Sequence, residues 1–257
     1  MIDSLTLFLL CLFAFSAGFV DAIAGGGGLI QTPAALILLP QFPIATVIGS
    51  LKLPAFTGTG LAVTQYIKRV SIQWKPILLM CLTAFLAAFA GSEVLSIMGN
   101  RFMKPVIFFV LIFVAVYTYT KKNFGQQIHK THSAKTQLGY GLLISLVIGF
   151  YDGFIGPGAG SFLVLSFIMI LGFDFLHASA YAKMINLSTN FGSIILFLLK
   201  GIILWQIAIP MAICNGLGGI LGAKMALSRG NRFIRYFFML IITGTLIRFG
   251  YDVFIKH

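Results

Sequence analysis

Residues 18–33 read GFVDAIAGGGGLIQTP, and residues 149–164 read GFYDGFIGPGAGSFLV. The two stretches are offset by 131 residues, and each has a glycine cluster that begins four residues after an aspartate. The same offset relates Lys52 to Lys183, and it holds without a gap from residue 18 to residue 101 of the first copy. The chain therefore contains two copies of one unit.

The composition is that of a membrane protein. Of 257 residues, 59% are hydrophobic and 9% are charged, and the mean hydropathy is +1.00. Soluble domains carry about 25% charged residues, so most of this chain must face lipid or other membrane helices. The net charge of +12 does not indicate a nucleic-acid partner, because the basic residues lie in short connections between apolar runs. We predict an all-α polytopic membrane protein in a lipid bilayer.

The chain has ten apolar segments, five in each copy. They cover residues 4–24, 29–39, 44–66, 76–98 and 104–120, and then 138–155, 160–173, 177–199, 203–227 and 233–255. The lysine-bearing stretch between the copies has no apolar periodicity, which indicates an exposed loop on the cytoplasmic side. These features predict a first membrane repeat (1–120), a cytoplasmic linker (121–137) and a second membrane repeat (138–257).

The second segment of each copy is short. Segments 29–39 and 160–173 would rise only about 16–21 Å as helices, against a hydrocarbon core about 30 Å thick. Each follows a break, formed by Gly25, Gly26, Gly27 and Gly28 in the first copy and by Gly156, Pro157, Gly158, Ala159 and Gly160 in the second. Paired short segments interrupted by glycine and proline indicate a transporter binding site.

The number of crossings decides how the two copies are oriented. If the short segments cross, each copy has five crossings and the repeats are inverted; if they only dip into the membrane, each has four. The first scheme leaves a larger excess of Lys and Arg on the linker side, so the positive-inside rule favours inverted repeats.

Two features could hold an anion. A glycine-rich turn that opens a helix exposes unpaired backbone N–H groups at the positive end of the helix dipole. Lys52 and Lys183 lie mid-segment, where an ammonium group could hold an anionic substrate, although each could instead form a structural ion pair with Asp21 or Asp152. Asn186 and Asn190 share a helix face with Lys183 and could bind substrate oxygens or bridge helices.

The two aspartates before the glycine clusters allow two interpretations. A carboxylate inside a membrane can accept a proton, because desolvation disfavours its charged form. Asp21 and Asp152 could therefore couple transport to protons or set a gate, or they could brace the broken helices. Glu93 and Lys224 occupy equivalent positions and could pair across the two copies. The sequence shows no metal motif, cofactor motif or catalytic constellation, so we expect no enzyme activity, metal or cofactor.

Several stretches of the sequence resemble those of a known family. The glycine-rich stretches quoted above, together with the run from Ala182 to Asn186, are similar to the signatures of the TauE/SafE sulfite exporter family. The likeness covers nearly the whole chain and is closest to the bacterial branch of probable membrane transporters. The resemblance implies a multi-pass protein of the bacterial inner membrane that moves sulfite, a sulfonate or another small organic anion.

We therefore expect a secondary transporter that is coupled to protons or to the membrane potential. The resemblance implies that it exports its anion. A small-anion channel and a non-transporting membrane assembly factor are the alternatives. The sequence leaves open the anion, the direction, the coupling ion and the oligomeric state.

Overall fold

A computed structural model of the protein describes residues 3–99 and 133–254, and it describes side chains as far as residue 229. These residues form eight α-helices and no strand, which confirms the predicted all-α class. The helices are α1 (Ser4–Ala24), α2 (Gly28–Leu38), α3 (Ile44–Tyr66), α4 (Trp74–Ile97), α5 (Ala134–Phe154), α6 (Ala159–Met169), α7 (Phe175–Leu199) and α8 (Trp205–Phe254). The predicted segment 104–120 and most of the linker lie outside the described residues.

Five helices are long and apolar enough to cross a membrane: α1, α4, α5, α7 and the Trp205–Arg229 part of α8. The multi-pass prediction is thereby confirmed. Helix α3 has 23 residues but is more polar, since it carries Lys52 and several threonines and glycines. It lies inside the bundle, where most of one face is buried.

Two predicted boundaries were wrong. Helix α5 begins at Ala134, inside the predicted linker, because the Ser133 side chain caps it by accepting a hydrogen bond from the Thr136 N–H. The predicted segments 203–227 and 233–255 belong to one helix, α8. A single glycine such as Gly230 weakens a helix by about 1 kcal/mol, which is too little to end it without a proline.

The short helices turn back along the helices before them. Gly27 lies against Ala17 and Asp21 of α1, while Ala35 of α2 belongs to the same buried cluster as Leu10. Helix α2 therefore returns toward the end at which α1 begins. Helix α6 returns along α5 in the same way, with Leu163 and Phe167 in one cluster with Ile144.

The two copies are entwined. Helix α1 packs most extensively against α8, and the equivalent α5 packs against α4. Backbones touch in both places: a Cβ at Gly222 would lie 2.3 Å from the Phe19 carbonyl oxygen, and one at Gly91 would lie 2.1 Å from that of Phe150. Small residues permit such close helix packing. The two contacts are related by the offset of 131 residues, and the repeat and its inversion in the membrane stay predictions.

Helices α3 and α7 lie side by side and run antiparallel. Gly49, early in α3, lies against Phe197, late in α7, whereas Gly60 lies nearer Leu187. This pair forms the centre of the bundle and carries the two predicted lysines.

Candidate functional site

The two glycine-rich breaks meet at the centre of the protein. A Cβ on Gly25 would lie 2.4 Å from the carbonyl carbon of Gly160, and one on Gly28 would lie 3.2 Å from the Cα of Pro157. Gly25 and Gly158 have φ values of 77° and 83°, in the left-handed region that favours glycine. Both the close approach and the backbone conformation therefore require glycine at these breaks.

Helices α2 and α6 both begin at this meeting point. Their N-caps, Gly27 and Gly158, provide no side-chain hydrogen bond to the first turn. The backbone carbonyls of Gly26, Gly27 and Gly156 accept hydrogen bonds from part of these first turns. The dipoles of the two helices still place two positive ends together, which favours an anion there.

The first ion pair joins α3 to α5. Lys52 Nζ donates to Asp152 Oδ1 at 3.0 Å and also to the Asp152 carbonyl oxygen. The other carboxylate oxygen, Oδ2, accepts hydrogen bonds from Asn186 Nδ2 at 2.8 Å and from the Thr189 hydroxyl. Both charged side chains are nearly inaccessible, at 6% and 5% exposed.

The second ion pair joins α7 to α1. Lys183 Nζ donates to Asp21 Oδ2 at 3.0 Å, and the Thr59 hydroxyl donates to the same oxygen at 3.3 Å. The Gly27 N–H donates to Asp21 Oδ1 at 3.4 Å. The Lys183 side chain is 1% exposed, but that of Asp21 is 18% exposed. Each pair thus joins a lysine of one copy to an aspartate of the other.

A cavity of about 60 Å³ lies between the breaks and the ion pairs. On this measure one water needs about 10–15 Å³, so the space suits a small ion with some water. Of the predicted site residues, it is lined by Asp21, Gly25, Gly27, Gly28, Lys52, Asp152, Gly156, Gly158, Gly160, Asn186 and Asn190. Lys183 and Gly26 are not among the lining residues, and Lys183 lies behind Asp21.

Family membership follows from the sequence. The family model described as "Sulfite exporter TauE/SafE" matches residues 10–249 of this chain. The chain belongs to the TauE/SafE family. Like its relatives it is a membrane transporter by family, and no solved structure matches it.

Curated relatives carry similar names. A "probable membrane transporter protein ORF9" from a Sinorhizobium species is 35% identical over 91% of this chain and 88% of the relative. A "probable membrane transporter protein" of Haemophilus influenzae is 34% identical, covering 93% and 92% of the two chains. The "probable membrane transporter protein YfcA" of Escherichia coli is 29% identical, covering 98% and 92%.

Three polar residues of this TauE/SafE site were not predicted. Gln31, Thr32 and Asn215 also line the cavity, and Asn215 Nδ2 donates to Gln31 Oε1 at 2.7 Å. Gln31 in turn donates to the Leu51 carbonyl oxygen at 3.3 Å. Each is a polar residue inside an apolar helix, which marks it as a candidate, but only the fold brings the three residues to one cavity.

The Glu93–Lys224 pair predicted for this family member was wrong. Glu93 instead pairs with Lys200, whose Nζ lies 2.8 Å from its Oε1. Lys224 lines a separate cavity with Lys68 and Arg69. Equivalent positions of α4 and α8 lie toward opposite ends of the bundle, so they do not meet.

Proposed function

We propose that this protein is a secondary transporter of the bacterial inner membrane that moves a small sulfur-containing or organic anion, such as sulfite or a sulfonate, through the central cavity. We take export as the direction, with coupling to protons or to the membrane potential. The family description supports this choice of substrate class, and the names of the relatives support a membrane transporter. The two repeats would face each other in inverted orientation, joined by a cytoplasmic linker that ends at Ser133, where α5 is capped.

The observation that carries the proposal is the convergence of two lysine–aspartate pairs and two helix N-termini without side-chain caps on one cavity, which the Lys183 pair borders through Asp21. Each lysine is already neutralised by a carboxylate. An entering anion must therefore compete with a carboxylate for the same cation. Such competition links anion binding to whatever discharges or moves the carboxylate, and a proton is the simplest such agent.

The two aspartates would then have different tasks. Asp152 lines the cavity, but its side chain is only 5% exposed and is held by Lys52, Asn186 and Thr189, which limits the access of a proton. Asp21 lines the same cavity, and its side chain is 18% exposed. We assign proton exchange to Asp21, and we assign to Asp152 the task of holding Lys52, which faces the anion directly.

Transport by purified protein in proteoliposomes tests this function. Labelled sulfite, sulfoacetate, taurine and acetate would each be offered with and without an imposed pH gradient. We expect saturable flux of a sulfur anion that the gradient enhances. Flux that does not saturate would indicate a channel. No flux of any of the four would contradict the proposed substrate class.

Two variants refine the test. Lys183→Met combined with Asp21→Asn removes both charges, so it leaves no unpaired ion behind, and we expect it to abolish gradient-driven flux while the protein still folds. Glu93→Gln combined with Lys200→Met removes a pair far from the cavity and is the matched control. Equal flux in both double variants would refute the role of the central pair.

Cysteine labelling tests the inverted arrangement. Single cysteines at Lys68 and Lys200, in a background without Cys11, Cys81 and Cys214, would mark the ends of α3 and α7. We expect a membrane-impermeant thiol reagent to reach only the Lys200 position from the periplasm. Labelling of both from one side would contradict inverted repeats.

A further inference from the structure

The two ends of the bundle carry different charges at equivalent positions. The offset of 131 relates Arg69 to Lys200 and Glu93 to Lys224. At one end, Lys200 and Glu93 form an ion pair that joins α7 to α4. At the other end both equivalent positions are cationic, and Arg69 and Lys224 share a cavity of about 520 Å³ instead.

This second cavity is strongly basic. Lys68 also lines it, with Gln65, Leu227 and Ser228 completing the wall. The carboxylates with described side chains are engaged elsewhere: Asp21 and Asp152 hold the central lysines, Glu93 binds Lys200, Asp174 contacts His177 and Asp3 caps α1. Among these residues none is left to neutralise the cavity, so an anion from outside the chain is the favoured occupant.

The position of the cavity along α8 matches the depth expected for lipid headgroups. Exposed Ile209, Ile213, Leu217 and Leu221 follow one another at four-residue spacing along α8. Lys224 and Ser228 continue the same face into the cavity. Trp205 at the start of this face is about 28 Å from Lys224 along the helix, close to the thickness of a hydrocarbon core. The apolar stripe thus ends at the basic cavity, as an acyl chain ends at its headgroup.

We propose that this cavity binds the phosphate headgroup of an anionic phospholipid, with the acyl chains along Leu217 and Leu221. The volume is within the range of small-molecule sites. Basic pockets between membrane helices favour such headgroups, with about a fivefold gain in affinity for each Lys or Arg near the surface. The lipid would bridge α3 and α8, as the Glu93–Lys200 pair bridges α4 and α7.

Lipid binding by the full-length protein tests the site. Purified protein in phosphatidylcholine nanodiscs would be titrated with phosphatidylglycerol, with lipid occupancy read by native mass spectrometry and the unfolding temperature read in parallel. We expect phosphatidylglycerol to bind and to raise the unfolding temperature of the wild type. Arg69→Gln with Lys224→Gln should weaken this binding about 25-fold, on the basis of fivefold for each group. Lys75→Gln, an exposed lysine that does not line the cavity, is the control and should change little.

Lys224→Glu gives a second, independent readout. It recreates the charge arrangement of the other end, so Glu at position 224 can pair with Arg69 and replace the lipid. We expect this variant to be stable in phosphatidylcholine alone, and we expect phosphatidylglycerol not to raise its unfolding temperature. An increase in unfolding temperature equal to that of the wild type would overturn the proposal. So would equal stabilisation of the wild type by inorganic phosphate, since the acyl chains would then play no part.

Discussion

The Lys52–Asp152 and Lys183–Asp21 pairs occupy equivalent positions and have the same 3.0 Å separation, yet their surroundings differ. Asp152 accepts hydrogen bonds from two further side chains, Asn186 and Thr189, whereas Asp21 accepts one from Thr59 and is more exposed. Equivalent positions thus carry one pair that is almost inaccessible and one that is partly exposed. The proposed division between holding a cation and exchanging a proton rests on this difference.

The difference has a definite cause in the sequence. Asn186 and Thr189 donate to Asp152, and their counterparts in the first copy are Ala55 and Gly58, which have no side-chain donors. Asn215 Oδ1 fills the space beside Gly58, at 1.9 Å from where a Cβ would stand. These two differences leave Asp21 with Thr59 as its one side-chain donor besides Lys183 among the described residues.

The largest effect is expected from breaking the almost inaccessible pair. Lys52→Met leaves the Asp152 carboxylate buried without its cation, which typically costs about 3–5 kcal/mol. The double variant Lys52→Met with Asp152→Asn should recover most of this loss, because no charge remains. Lys183→Met should lower the free energy of unfolding by less, since Asp21 keeps some access to water. Thermal unfolding in detergent measures all three, and equal losses in the two single variants would remove the distinction between the pairs.

Alanine substitutions in the two glycine-rich breaks should also differ in their cost in stability. Gly25→Ala combines a left-handed backbone with a contact at 2.4 Å to the Gly160 backbone, and we expect a loss of about 2–4 kcal/mol. Gly156→Ala also has a positive φ, but its nearest atoms are at 3.2 Å and include the flexible ends of Lys52 and Asp152. We expect about 1–2 kcal/mol there. Gly139→Ala, with no atom within 4 Å, is the control and should be neutral or slightly stabilising.

The proposed division of labour predicts different pH responses. Asp21→Asn should make flux in proteoliposomes insensitive to an imposed pH gradient, because the exchangeable proton is gone. Asp152→Asn should instead lower the amount of folded protein, while the flux that remains keeps its pH dependence. An unchanged pH profile in Asp21→Asn would refute the coupling role of this residue.

The smallest effect concerns the starts of the central helices. Asp174 caps α7 by accepting hydrogen bonds from the N–H groups of Leu176 and His177, whereas Pro43 gives α3 no side-chain cap. Asp174→Ala should cost about 1 kcal/mol. Burial raises the pKa of Asp174, but the hydrogen bonds from His177 and Leu176 outweigh it and lower the pKa below its usual value.

The sign of that pKa shift fixes a pH window. A lowered pKa stabilises the fold above the ordinary carboxyl pKa of 3.8, and this stabilisation is lost as the pH falls through the folded-state value. The wild type and Asp174→Ala should therefore differ in unfolding temperature at neutral pH and converge in acid. A constant difference down to strongly acidic pH would contradict this account.

Much of the fold could be predicted from local signals. Hydropathy identified the helices and the glycine clusters identified both breaks, because helices and breaks depend on residues close together in the sequence. The choice of partner for Lys52 could not be predicted from the sequence, because it depends on which aspartate the fold brings to α3, and this is Asp152 of the second copy. Gln31 and Asn215 were missed because their significance depends on a contact across 184 residues.

The entwined packing has a consequence for synthesis. Helix α1 finds its main neighbour in α8, which begins about 180 residues later. At about 5–20 residues per second, a ribosome needs roughly 10–40 s to make that stretch. During this interval α1 and Asp21 must wait in the membrane without α8 or Lys183. Co-expressed separate halves should therefore assemble with each other, and neither half alone should survive quality control.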